Sequence, residues 1–329
     1  MRAMGAESTI HAGYATGART EFAFDVRSGL GRARKALPSK YLYDVLGSAL
    51  FDAITELPEY GLTRAEERIL GRHAGEIARC LPRGVEVAEL GAGSGRKTRL
   101  VLDAILARQR TVPYAAIDVS ISALENCRGL IGSRPSVRFR SIEAPYLEGL
   151  VKVDEVRAAG TPLLALFLGS TIGNFDAAEQ LEFLAQVRSI LRDGDALLLG
   201  ADLLKPVDRL VRAYDDPLGV TAAFDLNVLA RINRELGGDF DLRAFRHEAR
   251  WSGADHRIEM HLRSLREQVV TIPGASCRVA LRRGETIWTE SSHKFGAADL
   301  LSLAAASGFT TAGMWVDESW PFADVLLTT

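Results

Sequence analysis

The chain has 329 residues, 47% hydrophobic and 25% charged, an ordinary balance for a soluble globular protein. Its 40 basic and 42 acidic residues leave a formal charge of −2, without the basic surplus of a nucleic-acid binder. No run has the length and apolarity of a membrane span and the N-terminus lacks a signal-peptide core, so the expectation is a cytoplasmic protein with no membrane or nucleic-acid partner.

Residues 1–19 are small and polar, and a loose tail is expected there. Helical patterns follow over Glu21 to Lys35 and Asp44 to Leu57, punctuated by Pro38 and Pro58. The next helix opens with Thr63 and Glu66 at the spacing of a capping box, and Ile69, Leu70, Ile77 and Leu81 fall on one of its faces. From Val85 the pattern alternates. "VEVAEL", "YAAID", "VRFRSI", "LLALFL" and "ALLLGA" read as strands. Lys97 to Arg108, Ser122 to Gly132 and Ala177 to Leu191 read as helices. This βαβ rhythm with near-continuous apolar strands predicts an α/β, Rossmann-like fold with a parallel sheet covered on both faces.

After Asp202 the rhythm breaks. A helix, "VTAAFDLNVLARINREL", precedes strand-like segments near Arg246 to Trp251, Arg257 to Leu265, Val269 to Ile272 and Thr286 to Glu290. The helix Ala297 to Ala306 and the strands Thr310 to Val316 and Ala323 to Thr328 then complete the first sheet. The expected organisation is a sheet domain over 65–203 plus 296–329, and an inserted α+β module over 204–295 joined by residues 20–64.

Two features carry chemistry. "VAELGAGSGRKTRL" places Gly91, Gly93 and Gly95 between a strand and a helix, where glycine lets backbone N–H groups approach a ligand. A dinucleotide fingerprint needs glycine at position 96, which is Arg96. The form is instead E-x-G-x-G-x-G, that of class I methyltransferases using S-adenosylmethionine. Asp118 ends the next strand, placed to accept hydrogen bonds from both hydroxyls of a ribose. In "LFLGSTIGNF" a buried strand ends at a long small-residue loop, Gly169 to Asn174, at the edge where open α/β sheets bind ligands. Asn174 there offers both a donor and an acceptor. Cys80, Cys127 and Cys277 have no ligand or redox spacing, no histidine pair has zinc spacing, and no metal is expected.

Several long stretches occur in fixed order: "KYLYDVLGSALFDAITELPEYGLTRAE", "ELGAGSGRKTR", "FLGSTIGNF", "LLLGADLLK", "LVRAYDDPLGVTAAFDLNVLARINREL", "RIEMHLR" and "WTESSHKF". With them the chain, from about Arg27 to its end, resembles the histidine Nα-methyltransferases of ergothioneine biosynthesis. The resemblance implies trimethylation of the α-amine of L-histidine to hercynine, through mono- and dimethyl intermediates, with S-adenosylmethionine as methyl donor; a monomer is the separate expectation. It places Gly91, Lys97 and Asp118 at the cofactor, with Tyr43 near it. Tyr60, Asn174 and Tyr214 fall at the amine and carboxylate, Glu290 and Ser292 at the imidazole, and Met260 on the same pocket. Tyr43 and Asn174 are the candidates for the transfer step. Three positions depart from the pattern. Pro145 stands where an acid near the adenine is expected, leaving Glu143 or the backbone around Tyr146 to serve. Gly61 replaces an aromatic, and Arg96 an acid.

The chemistry suits these residue types. Methyl transfer to an amine needs a lone pair aimed at a sulfonium methyl, so positioning dominates. Tyr60 and Tyr214 present aromatic faces suited to a quaternary ammonium. Glu290 and Ser292 share one face of an extended segment, and an imidazole N–H is a fitting partner for a buried carboxylate. The rivals are methylation of another aromatic amino acid such as tryptophan, a nicotinamide-dependent oxidoreductase, and a non-catalytic pathway partner.

Overall fold

The computed structural model describes residues 19–329; the expected loose tail lies outside the described residues except at its last position. The elements in chain order are α1 (19–30), α2 (Val45–Glu56), α3 (Leu62–Cys80), β1 (Glu86–Leu90), α4 (Thr98–Leu106), β2 (Val112–Asp118), α5 (Ile121–Cys127), β3 (Val137–Glu143), α6 (Tyr146–Val156), β4 (Leu163–Phe167), α7 (Ala177–Ile190) and β5 (Ala196–Asp202). They continue with α8 (Val207–Tyr214), α9 (Val220–Leu236), β6 (Phe245–Ser252), β7 (Arg257–Ser264), β8 (Gln268–Ile272), β9 (Cys277–Leu281), β10 (Thr286–His293), α10 (Ala297–Ala306), β11 (Thr310–Asp317) and β12 (Phe322–Thr328).

The chain divides into two compact units. The sheet unit comprises Thr55–Ala213, Ser252–Arg257 and Ser292–Thr329. The other comprises the described part of Met1–Ile54 with Tyr214–Trp251 and Ile258–Ser291.

In the sheet unit, seven strands run in the order β11-β12-β5-β4-β1-β2-β3. The pairs β1–β2, β1–β4, β2–β3 and β4–β5 are parallel, whereas β12 is antiparallel to β5 and to β11. Chain order reverses between β1 and β4, so their carboxyl ends border the crevice in which such sheets take ligands. Both faces are covered, as the apolar strands require. One layer gathers Ile117, Phe167, Phe183 and Leu199; the other gathers Leu70, Leu102, Leu164 and Leu198. This is the α/β architecture expected from the βαβ rhythm.

Helix α6 was not apparent in the sequence. It follows Pro145 and contains Gly149, whose missing side chain leaves room for Ile117 of β2; a Cβ there would overlap that residue. The capping box expected from Thr63 and Glu66 does not form. Helix α3 begins at Leu62, its N-cap Gly61 makes no side-chain cap, and Glu66 is fully buried and bonded to Gly169. A burial site with a donor outcompetes an exposed cap for that carboxylate. The capping box that does form joins Asp176 and Glu179 at α7.

In the other unit, β10, β7 and β6 form a three-stranded sheet and β8 pairs with β9. The segment after α1 is tied to β10 by hydrogen bonds from Leu37 N to Trp288 O (2.8 Å) and from Trp288 N to Lys35 O (2.9 Å). Helix α9 occupies the predicted stretch and buries Phe224, Val228, Leu229 and Ile232. Strand β9 and helix α8 were not read from the sequence. Among the described residues no helix is long and apolar enough to cross a membrane.

Candidate active site

Gly91, Gly93 and Gly95 all adopt positive φ, at 80°, 49° and 73°. Their roles differ. A Cβ on Gly95 would press on Ile131 and Cys127, at 2.6 and 2.9 Å, so that glycine serves packing. A Cβ on Gly93 would meet nothing within 4 Å, so there the backbone faces open space. Asp118 organises this loop. One carboxyl oxygen accepts from Gly93 N at 3.2 Å and the other from Ser120 N at 2.9 Å. Burial pushes the Asp118 carboxyl above its ordinary value, and these backbone donors oppose the shift. Each oxygen keeps a lone pair for a hydroxyl ligand. Tyr146 stands over the loop, 3.3 Å from where a Cβ on Gly91 would be, and burial raises its phenol to about 12. Pro145 is the N-cap of α6, and Glu143 ends β3 exposed.

Glu89 lies one strand turn before the loop. It accepts from Thr98 Oγ1 at 2.6 Å and Tyr114 Oη at 2.5 Å, and burial raises its carboxyl to about 7. Lys97 is paired with Glu66. Arg96 points the other way, to Glu56 and Glu67 on an exposed surface, where such pairs contribute little.

The β4 exit loop is held at three points. Gly169 N donates to both Glu66 oxygens at 2.8 and 3.0 Å. Ser170, at φ 60°, accepts from Asp202 N at 2.9 Å. Gly173 lies against His293, whose Nδ1 bonds Gly173 O at 2.9 Å. Asn174 ends the 3-10 turn Thr171–Asn174 that follows. Beside it, Asp202 at the end of β5 is buried between Lys205 (2.5 Å) and Lys294 (2.9 Å). Burial pulls Lys205 down to about 8, as does the neighbouring Lys294, while Asp202 opposes this. Lys294 Nζ also donates to Ser292 Oγ at 2.8 Å. An ammonium only donates, so it fixes the serine oxygen as an acceptor.

Tyr60 is buried in the sheet unit, just before the start of α3. The aromatic missing at Gly61 has a spatial counterpart: a Cβ there would overlap the ring of Trp320, whose Nε1 donates to Asp202 at 3.0 Å.

In the other unit, Tyr43 Oη donates to Glu290 Oε1 at 3.2 Å, and Glu290 is 8% exposed. Tyr43 packs edge-on against Phe51 and Phe224. Met260 is buried on β7, and its carbonyl accepts from Thr289 Oγ1 at 3.0 Å. The structure thus puts Tyr43, which the resemblance associates with the cofactor, beside the proposed imidazole acid. Tyr214 is buried, and its carbonyl accepts from His247 Nε2 at 2.7 Å, while His247 Nδ1 meets Asp225 at 2.7 Å. Both partners are acceptors, so both ring nitrogens carry hydrogen. Burial alone lowers the pKa of His247, but Asp225 and the carbonyl raise it overall. Nothing in the sequence pointed to this pair: helix and strand bring together residues 22 apart. Asp216, adjacent to Asp215, caps α9 through Thr221 N at 2.7 Å and Val220 N at 3.1 Å.

Among the described residues, no three His, Cys, Asp or Glu side chains gather as metal ligands. A family model described as "Histidine-specific methyltransferase, SAM-dependent" matches residues 22–329. The chain is 42% identical over 299 residues to the "Histidine N-alpha-methyltransferase" of Mycolicibacterium smegmatis, covering 91% of this chain and 92% of that one. The protein of that name from Mycobacterium tuberculosis is 43% identical over the same shares. "Ergothioneine biosynthesis protein 1" of Neurospora crassa is 34% identical over 62% of this chain and 23% of its own.

Proposed function

The chain belongs to the histidine-specific, S-adenosylmethionine-dependent methyltransferases, and from that premise we propose that it methylates the α-amine of L-histidine three times. The product is hercynine, reached through the mono- and dimethyl amines, as a step of ergothioneine biosynthesis.

The sheet unit suits the methyl donor. Gly93 leaves its backbone open, Asp118 retains acceptor capacity beside it, and Tyr146 offers a ring over Gly91. We assign Gly91, Asp118 and Tyr146 to the adenosine part, and Lys97 to the same cofactor. When bound, S-adenosylmethionine supplies a methyl carbon activated by a sulfonium. What the protein must then do is present an amine lone pair and shed the ammonium proton to water. Asn174, on the braced β4 exit loop, is assigned to the amine. Tyr60 and Tyr214 are assigned to the amine and carboxylate, with ring faces that tolerate the growing loss of N–H donors.

The single observation that favours histidine is the buried Glu290 carboxyl, which accepts from Tyr43 Oη. A buried carboxyl disfavours a wholly apolar ring and favours one with an N–H. Ser292 is assigned to the same ring, and Tyr43 to holding Glu290. The test is incubation with S-adenosylmethionine and each common amino acid, reading product masses. Histidine gaining up to three methyl groups is the expected result. Preference for tryptophan, or no transfer to any amine, refutes the reading.

A further inference from the structure

Glu66 is fully buried, on the face of α3 that covers the sheet, and none of the roles assigned above uses it. Its carboxylate does two things at once. It accepts the Gly169 N–H through both oxygens, and it pairs with Lys97 at the end of the glycine loop. The two loops bordering the switch point, one leading to Asn174 and the other carrying Gly91 and Gly93, are therefore joined through one side chain.

The surrounding sequence makes room for it. Gly200 lies in the middle of β5, where glycine weakens a strand. A Cβ at that position would overlap Glu66 Oε1 and stand 3.3 Å from an oxygen of Asp324 on β12. An apolar residue at position 66 would need neither that glycine nor a buried cation. Both oxygens of Asp324 are buried without a hydrogen-bond partner, and burial together with Glu66 pushes its pKa well above the ordinary range, while Lys97 opposes this. Burial lowers the Lys97 pKa, but the Glu66 carboxylate raises it overall.

We propose that Glu66 is a positioning residue for methyl transfer: its buried carboxylate locks the β4 exit loop to Lys97, so that the acceptor-side and donor-side loops keep one register. This rests on the assignments of Asn174, Gly91 and Lys97 made above. It acts through backbone and ion pair, without touching either substrate.

The test compares wild type with Glu66→Gln, Glu66→Leu and Asp324→Asn. Hydrogen exchange at the Gly169 amide is the direct readout. It accelerates about 10-fold or more in Glu66→Leu, as expected for loss of a charge-assisted hydrogen bond. In Glu66→Gln, which keeps an acceptor but loses the charge, kcat per folded molecule falls about 10-fold while KM for histidine changes less than about 3-fold. Asp324→Asn, neutral and of the same shape, keeps at least about a third of wild-type kcat. Unchanged exchange in Glu66→Leu overturns the proposal, as does unchanged kcat in Glu66→Gln. If Glu66→Leu does not fold, exchange in Glu66→Gln decides: an unchanged Gly169 amide overturns it. Wild-type histidine turnover is measured in parallel. Its absence sinks the substrate reading, while the exchange comparison still decides the role of Glu66.

Discussion

Tyr43 Oη donates to Glu290 Oε1 across 3.2 Å, linking residues 247 positions apart within one unit. The bond orients a buried carboxyl, and it makes the acid and its tyrosine separable by mutation. Glu290→Gln should raise KM for histidine about 10- to 100-fold, the value of a hydrogen bond to a charged group. Tyr43→Phe should cost about 3- to 10-fold, as for a neutral donor. In both variants S-adenosylhomocysteine affinity, followed by calorimetry, should stay within about 3-fold. Equal losses for both ligands would remove the assignment of Glu290 to the imidazole.

His247 and Asp225 predict a pH dependence of stability. The folded pKa of His247 lies above the ordinary 6.5, so the folded chain binds a proton more tightly than the unfolded one. Its contribution is complete below 6.5 and is lost as pH rises through the folded pKa. Thermal melts from acid to alkaline pH should show this fall in wild type, and Asp225→Asn should flatten it. A profile identical in the two proteins would refute the imidazolium.

Glu89 titrates with the same sign for the opposite reason. Burial raises its carboxyl from 4.5 to about 7. Between those values the unfolded chain releases the proton and the folded chain keeps it, so stability declines as pH rises. The shift corresponds to about 3 kcal/mol at full deprotonation of the unfolded state. Glu89→Gln should therefore gain about 1–3 kcal/mol over wild type at pH 8 relative to pH 4, measured by urea unfolding.

The glycine loop should divide by position. Gly95→Ala places a Cβ 2.6 Å from Ile131 at φ 73°, and should destabilise the fold by about 1–3 kcal/mol. Gly93→Ala meets no neighbour; it should cost about 1 kcal/mol of backbone strain, and weaken S-adenosylmethionine binding more than stability. Melting temperature and cofactor affinity measured on both variants give the comparison. If Gly93→Ala binds the cofactor as wild type does, the loop is not its cradle.

Much of the architecture was legible because it is written locally. Strands β1 to β5 are short apolar runs, α9 fills the stretch read from its pattern, and the glycine loop and Asp118 sit at strand ends where the alternation puts them. Helix α6 was not legible, since Gly149 breaks its propensity for the sake of close packing on Ile117. Glu66 was misread for a related reason: three residues after a threonine, it has the form of a cap, and its partner Gly169 is 103 positions away.

Residue order alone was enough for the α/β class, the glycine loop between β1 and α4, and the histidine-methyltransferase motifs, because hydrophobic period, turn chemistry and contiguous motifs all act over a few neighbouring positions. It could not reveal that Glu66 bonds the β4 exit loop, that His247 pairs with Asp225, or that Trp320 fills the space beside Gly61. Those facts depend on which distant groups share a buried volume. There a carboxylate or imidazole is stable only with its partner in place, and folding brings that partner from elsewhere in the chain.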